Sequence, residues 1–114
     1  MNLSGFERWR PLDSVAVKDV PEQGKFVYIF RKHSTKELLY VGGTTNLRQR
    51  LFRNYIGGVG GGTTQRIHAV LFKEGAIKDT EVAWLETPYY YTEEERLKDI
   101  YKKEYGKLPP WNKR

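Results

Sequence analysis

The chain alternates between short runs of β-branched and aromatic residues and longer stretches with apolar positions three and four apart. Lys25 to Phe30 (KFVYIF) is apolar almost throughout and predicts a strand. Arg31 to Glu37 is polar and reads as a turn region. Leu38 to Val41 (LLYV) predicts a second strand, ended by Gly42 and Gly43. Two strands joined by a short polar link form an antiparallel hairpin. Thr44-Thr45-Asn46 then opens a helix. Leu47, Leu51 and Tyr55 give that helix one apolar face, and Gly57 and Gly58 stop it.

Gly57 to Gly62 (GGVGGG) reads as a flexible loop. A second helix follows, capped by Thr63 or Thr64, burying Ile67, Val70 and Leu71 and ending at Gly75. Glu81 to Glu86 (EVAWLE) predicts a third strand. The tyrosine run Tyr89 to Tyr91 leads to Thr92, which with Glu95 has the spacing of a capping box. The last helix is expected from about Glu93 to Tyr105, with Gly106 as its stop. Strand, strand, helix, helix, strand, helix is the order of an α/β sandwich: one small sheet covered by helices. Residues 1–23 carry Trp9, Leu12 and Val15 and read as a leader packed on a single domain spanning 24–114.

Charge narrows the function. The net charge is +6, and a basic domain attracts polyanions, of which nucleic acid is the common one. With no cysteine, disulfides, iron–sulfur clusters and thiolate zinc sites are excluded. Two histidines, His33 and His68, are too few for a histidine-built centre, so a metal here would be a hard cation on oxygen ligands, Mg²⁺ or Mn²⁺. No apolar run has the length of a membrane span, and Met1 to Arg10 lacks the apolar stretch of a signal peptide. A cytoplasmic, intracellular protein is the expectation. GGVGGG has neither the Lys-Ser/Thr of a phosphate-binding loop nor a preceding strand, which argues against a nucleotide site.

Hydrolysis of a phosphodiester needs a base, a fixed positive charge for the phosphoryl oxygens, and usually a metal ion. Tyr28 and Tyr40, on adjacent strands, are the first candidates. A tyrosine becomes a useful base only where neighbouring positive charge favours its phenolate, and aromatic residues are common in strands for packing alone. Arg50 borders the apolar stripe of the first helix, and an arginine there either meets a phosphate with its planar fork or reaches water over its own stem. Arg48 and Arg53 lie further round, and Asn54 shares the edge with Arg50, so these three are candidate nucleic-acid contacts. Ahead of the inward face Leu97, Ile100, Tyr101 stand Glu93 and Glu94, either of which suits a metal, though acids in a first turn also complement the helix dipole.

These elements together resemble the GIY-YIG nuclease family. The first signature corresponds to Phe26-Val27-Tyr28 and the second to Tyr40-Val41-Gly42. The family's catalytic arginine, ten residues after the second tyrosine, corresponds to Arg50. Its metal-binding glutamate, early in a later helix, corresponds best to Glu94 within Glu-Glu-Arg-Leu, and the asparagine that often completes the site to Asn112. The resemblance covers residues 24 to 112 and implies a three-stranded antiparallel sheet flanked by helices. It also implies one divalent metal, a tyrosine or metal-bound water as base, and the arginine on the phosphate. The chain departs from the pattern at three places. Phe26-Val27 replaces Gly-Ile, Asn54 stands where several members carry histidine, and Gly43 stands where some carry lysine. Asparagine takes no proton, so an acid–base role at position 54 is lost.

The resulting expectation is a metal-dependent endonuclease acting on DNA, with Tyr28, Tyr40, Arg50 and Glu94 as catalytic residues and Arg48, Arg53, Asn54 and Asn112 as nucleic-acid contacts. One domain leaves no room for a separate recognition module, so specificity would come from DNA shape, a partner protein or a homodimer. The alternatives are a non-catalytic nucleic-acid-binding module and an interaction protein of a DNA-repair complex, both on the same fold.

Overall fold

A computed structural model describes residues 1–113. Four strands form one antiparallel sheet in the order β1-β4-β2-β3. They are β1 (Arg10–Pro11), β2 (Phe26–Lys32), β3 (Leu38–Thr44) and β4 (Thr80–Glu86). Three helices cover the sheet: α1 (Gln49–Ile56), α2 (Gly62–Phe72) and α3 (Tyr90–Tyr105). The fold is α+β, as the pattern indicates, with one strand more than expected. The extra strand comes from the leader, where Arg10 pairs with Val82 and Pro11 with Glu81. Two residues with a proline give no periodic signal, and proline is tolerated there because β1 is an edge.

The uninterrupted apolar run of β2 has a simple cause. β2 lies between β3 and β4, and both of its faces are covered. Phe26, Tyr28 and Phe30 face one core with Leu47, Leu51, Tyr55, Ile67, Leu71 and Trp111. Val27 and Ile29 face the other, with Phe6, Val41, Ala83, Leu97 and Tyr101. Each large apolar side chain fully buried in this way contributes about 1.5–3 kcal/mol. The leader joins both layers through Phe6, Leu12 and Val20.

The hairpin register decides which side chains meet. Tyr28 pairs with Gly42, Ile29 with Val41 and Phe30 with Tyr40, so Tyr28 and Tyr40 share a face. A shift between Phe30 and Arg31 skips Leu39, and this bulge turns Leu39 and Tyr40 toward the same core.

Helix starts differ from the sequence expectation in three places. Thr44 remains in β3, and Asn46 caps the turn leading into α1, its Oδ1 accepting the Gln49 N–H at 3.1 Å. α2 begins at Gly62 with no side-chain cap, ahead of Thr63 and Thr64, and Thr64 is instead buried. α3 begins at Tyr90, so Thr92 lies inside the helix and the capping box does not form; Glu95 pairs with Lys98 at 2.8 Å. Gly106 ends α3 with φ +79°, a left-handed stop that only glycine adopts freely.

The C-terminal segment closes the open edge of β3. The Trp111 N–H donates to the Leu39 carbonyl at 2.8 Å. The Asn112 side chain accepts from the Val41 N–H at 2.9 Å and donates to the Val41 carbonyl at 3.0 Å. An amide side chain here takes the place of an adjoining strand, covering an edge that would otherwise stay unpaired. No helix among the described residues is long and apolar enough to cross a membrane.

Candidate active site

The site forms near the end of β3, where two adjacent glycines are paired within the sheet. Gly42 lies directly opposite Tyr28, and a Cβ on it would stand 2.5 Å from both Cζ and Oη of that tyrosine. The Tyr28 ring therefore lies over bare backbone. Successive residues of a strand face opposite sides. A Cβ on Gly43 would accordingly stand 2.7 Å from Glu94 Oε1 and 3.0 Å from Tyr90 Cδ2. The paired glycines let a tyrosine from one layer and a carboxylate from the other approach the same short piece of edge strand. Val41 turns its N–H and carbonyl outward to Asn112, and the alternation of an antiparallel edge turns the Gly43 amide the same way.

Three tyrosine hydroxyls form a chain. Tyr28 Oη lies 2.6 Å from Tyr55 Oη, and the Tyr55 hydroxyl donates to Tyr40 Oη at 3.3 Å. A hydroxyl has one proton, so Tyr28 must be the donor to Tyr55. The chain runs from the interior outward: Tyr28 and Tyr55 are buried, and Tyr40 is half-buried. Burial pushes Tyr28 well above the ordinary tyrosine value, helped by its neighbours Tyr55 and Tyr40 and opposed by Arg50. Burial raises Tyr55 in the same way, again with Arg50 opposing. Both are therefore neutral donors at ordinary pH.

Tyr55 was hidden in the sequence as one more member of an apolar stripe. α1 is wound as a π-helix, with bonds reaching one residue further than in an α-helix. That winding stacks residue 55 one turn beyond residue 50. Asn54, at the position where the family often has histidine, is instead buried and donates to the Val59 carbonyl at 2.6 Å, tying down the glycine-rich loop. The hydroxyl that meets Tyr28 and Tyr40 belongs to the next residue, Tyr55. A stripe of Leu47, Leu51 and Tyr55 carries no signal that the tyrosine end is polar.

Arg50 is half-buried and has no carboxylate within ion-pair distance among the described residues. Its charge acts on Tyr28 and Tyr55. A guanidinium in this state keeps its fork available for an anion. Arg48 differs: its Nε donates to the Val20 carbonyl at 3.0 Å and its Nη1 pairs with Glu22 at 3.2 Å, which fastens the leader to α1. Arg53 is exposed.

The three consecutive glutamates in the first turns of α3, Glu93 to Glu95, separate cleanly. Glu93 forms a two-pronged pair with Arg96, and this pair holds its carboxyl below the usual range. Glu95 pairs with Lys98. Glu94 also touches Lys98, Oε2 to Nζ at 3.1 Å, but presents Oε1 to Gly43. Lys98 is buried, which disfavours its charge, yet its bonds to Glu95 and Glu94 outweigh that and raise it, so it stays charged. Among the described residues no three His, Asp or Glu side chains converge as a metal cage. A lone carboxylate beside a cleared strand edge does suit Mg²⁺, which commonly binds through one or two carboxylates, with water and substrate phosphate supplying the rest.

The sheet and its covering helices make a small α+β domain. The family model described as the GIY-YIG catalytic domain matches residues 24–108, and the chain belongs to that family. Nucleic acid is accordingly its substrate class. No curated protein and no solved structure matches the chain significantly.

Proposed function

We propose that this protein is a metal-dependent endonuclease that hydrolyses phosphodiester bonds of DNA. The observation that carries the reading is the hydroxyl chain Tyr28, Tyr55, Tyr40, ending on the half-buried oxygen of Tyr40, with the charge of unpaired Arg50 acting on the two buried tyrosines. A pure binding module has no use for two buried hydroxyls aimed at a third, since each would pack as well as phenylalanine.

Tyr40 is the group that accepts a proton from the attacking water. Tyr55 donates a hydrogen bond to the Tyr40 oxygen at 3.3 Å. Arg50 receives the phosphate, opposing the charge that builds on its non-bridging oxygens. Glu94 would hold the divalent ion, Mg²⁺ or Mn²⁺, which when bound would neutralise phosphate charge and lower the cost of making hydroxide. Lys98 orients Glu94 from behind. Glu93, tied to Arg96, is the weaker candidate for that ligand. Arg53 is free to contact the DNA backbone, whereas Arg48, Asn54 and Asn112 act chiefly by holding the leader, the glycine loop and the β3 edge.

The test is cleavage of plain and branched DNA by the purified protein with Mg²⁺, Mn²⁺ or EDTA. Arg50→Ala and Glu94→Ala are each expected to abolish metal-dependent cutting without loss of the fold. Undiminished cutting by both variants would remove the site assignment; binding without any cutting would leave a nucleic-acid-binding module.

A further inference from the structure

The tyrosine run at the start of α3 plays no part in the chemistry above. Tyr90 packs beside Gly43 and Glu94. Its neighbours do the opposite: Tyr89 is 73% and Tyr91 65% exposed, more than any other large hydrophobic side chain described. Neither ring makes a ring contact or side-chain hydrogen bond among the described residues. Tyr89 takes part only through its backbone, whose N–H donates to Thr87 Oγ1 and whose carbonyl accepts from Glu93. Holding two aromatic rings in water is unfavourable, and the fold gains nothing from them. Their place is specific: they flank the residue that borders Gly43, and Glu94 follows Tyr91 by about one helical turn.

We propose that Tyr89 and Tyr91 form a stacking platform for unpaired bases, so that the substrate carries a single-stranded segment beside the scissile phosphate. The proposal rests on the nuclease reading and narrows its substrate. An aromatic ring stacks on the flat face of a base, whatever the base. Within a duplex those faces are covered by neighbouring pairs; in a flap, gap or free strand they are open. The rise from Tyr91 to Glu94 is about 4.5 Å along the helix at 1.5 Å per residue, short enough for one nucleotide to reach both. The positive end of the α3 dipole favours the accompanying phosphates, and the nearby carboxylates Glu93, Glu94 and Glu95 are engaged by Arg96 and Lys98.

The experiment measures binding of a labelled single strand and a matched duplex by fluorescence anisotropy, with the full chain in EDTA so that nothing is cut. The variants are Tyr89→Ala, Tyr91→Ala and Tyr89→Trp, each checked for fold by circular dichroism. Each alanine variant should weaken single-strand binding about tenfold, within the range known for one stacked base, and leave duplex binding unchanged. Tyr89→Trp should bind the single strand at least as well as the parent. Equal effects on both nucleic acids, or none on either, would overturn the platform while the nuclease reading stood. So would a fall in sedimentation mass with single-strand binding intact, which would make the rings a contact between copies. Failure of the parent to bind either nucleic acid would instead remove the nuclease reading itself.

Discussion

The Tyr28 and Tyr55 hydroxyls meet at 2.6 Å inside a core whose other members are almost all hydrocarbon. Neither can be removed alone without consequence. Tyr55→Phe leaves the Tyr28 hydroxyl buried without an acceptor, which costs about 1–3 kcal/mol. It also ends the bond to Tyr40. The double variant Tyr28→Phe/Tyr55→Phe restores an apolar pair and should recover most of that stability while cleavage stays impaired. Urea unfolding beside cleavage rates checks both halves; a double variant less stable than Tyr55→Phe alone would contradict the hydroxyl pairing.

The two glycines of β3 predict opposite outcomes. Gly42→Ala drives a Cβ to 2.5 Å from the Tyr28 ring, which is fixed on all sides, and overpacking of that kind costs about 1–3 kcal/mol. Gly43→Ala meets the end of the Glu94 side chain, at 2.7 Å, and that end is able to swing aside. The Tyr90 ring, 3.0 Å from the same Cβ, must also give slightly, so the second variant should lose less melting temperature than Gly42→Ala and lose most of its cleavage. Thermal unfolding separates the two, and a Gly43→Ala enzyme with full activity would show that Glu94 does not act beside that strand edge.

Asn112 poses a choice between two roles. By sequence it is a nucleic-acid contact; by geometry both ends of its amide are tied to Val41. Asn112→Ala should lower stability by about 1–2 kcal/mol, the worth of two hydrogen bonds on a half-covered edge. Asn112→Asp keeps the bond from the Val41 N–H but sets a negative charge against the carbonyl, so it should not rescue. Unchanged stability together with weakened DNA binding would return Asn112 to the substrate.

The sheet and its helices were legible because each is written in the period of its apolar residues. KFVYIF reads as a strand, and Leu97, Ile100 and Tyr101 mark the inward face of α3. The half-buried position of Arg50 was legible too, through its place at the border of a helical stripe. What escaped depends on contacts between distant segments or on helix winding. β1 is too short to have a period. The π-winding of α1, which brings Tyr55 rather than Asn54 to the tyrosine pair, has no signature in spacing alone. Arg48, Asn54 and Asn112 have the chemistry of nucleic-acid contacts, and only the fold shows that Val20, Val59 and Val41 occupy them.

The buried tyrosines also set the alkaline limit of the fold. In the unfolded chain both titrate near the ordinary value of about 10. In the folded protein burial raises them above it, because a phenolate would lose its water. The folded state therefore holds the protons more tightly, and this contribution is complete below about pH 10 and lost as pH rises beyond it. Unfolding in alkali should begin above that point, and tyrosinate absorbance should rise in the same step. Tyr28→Phe/Tyr55→Phe should shift the transition to higher pH, since neither position then has a proton to lose. A parent protein whose buried tyrosines ionise freely near pH 10 with the fold intact would mean that the hydroxyl chain is open to water.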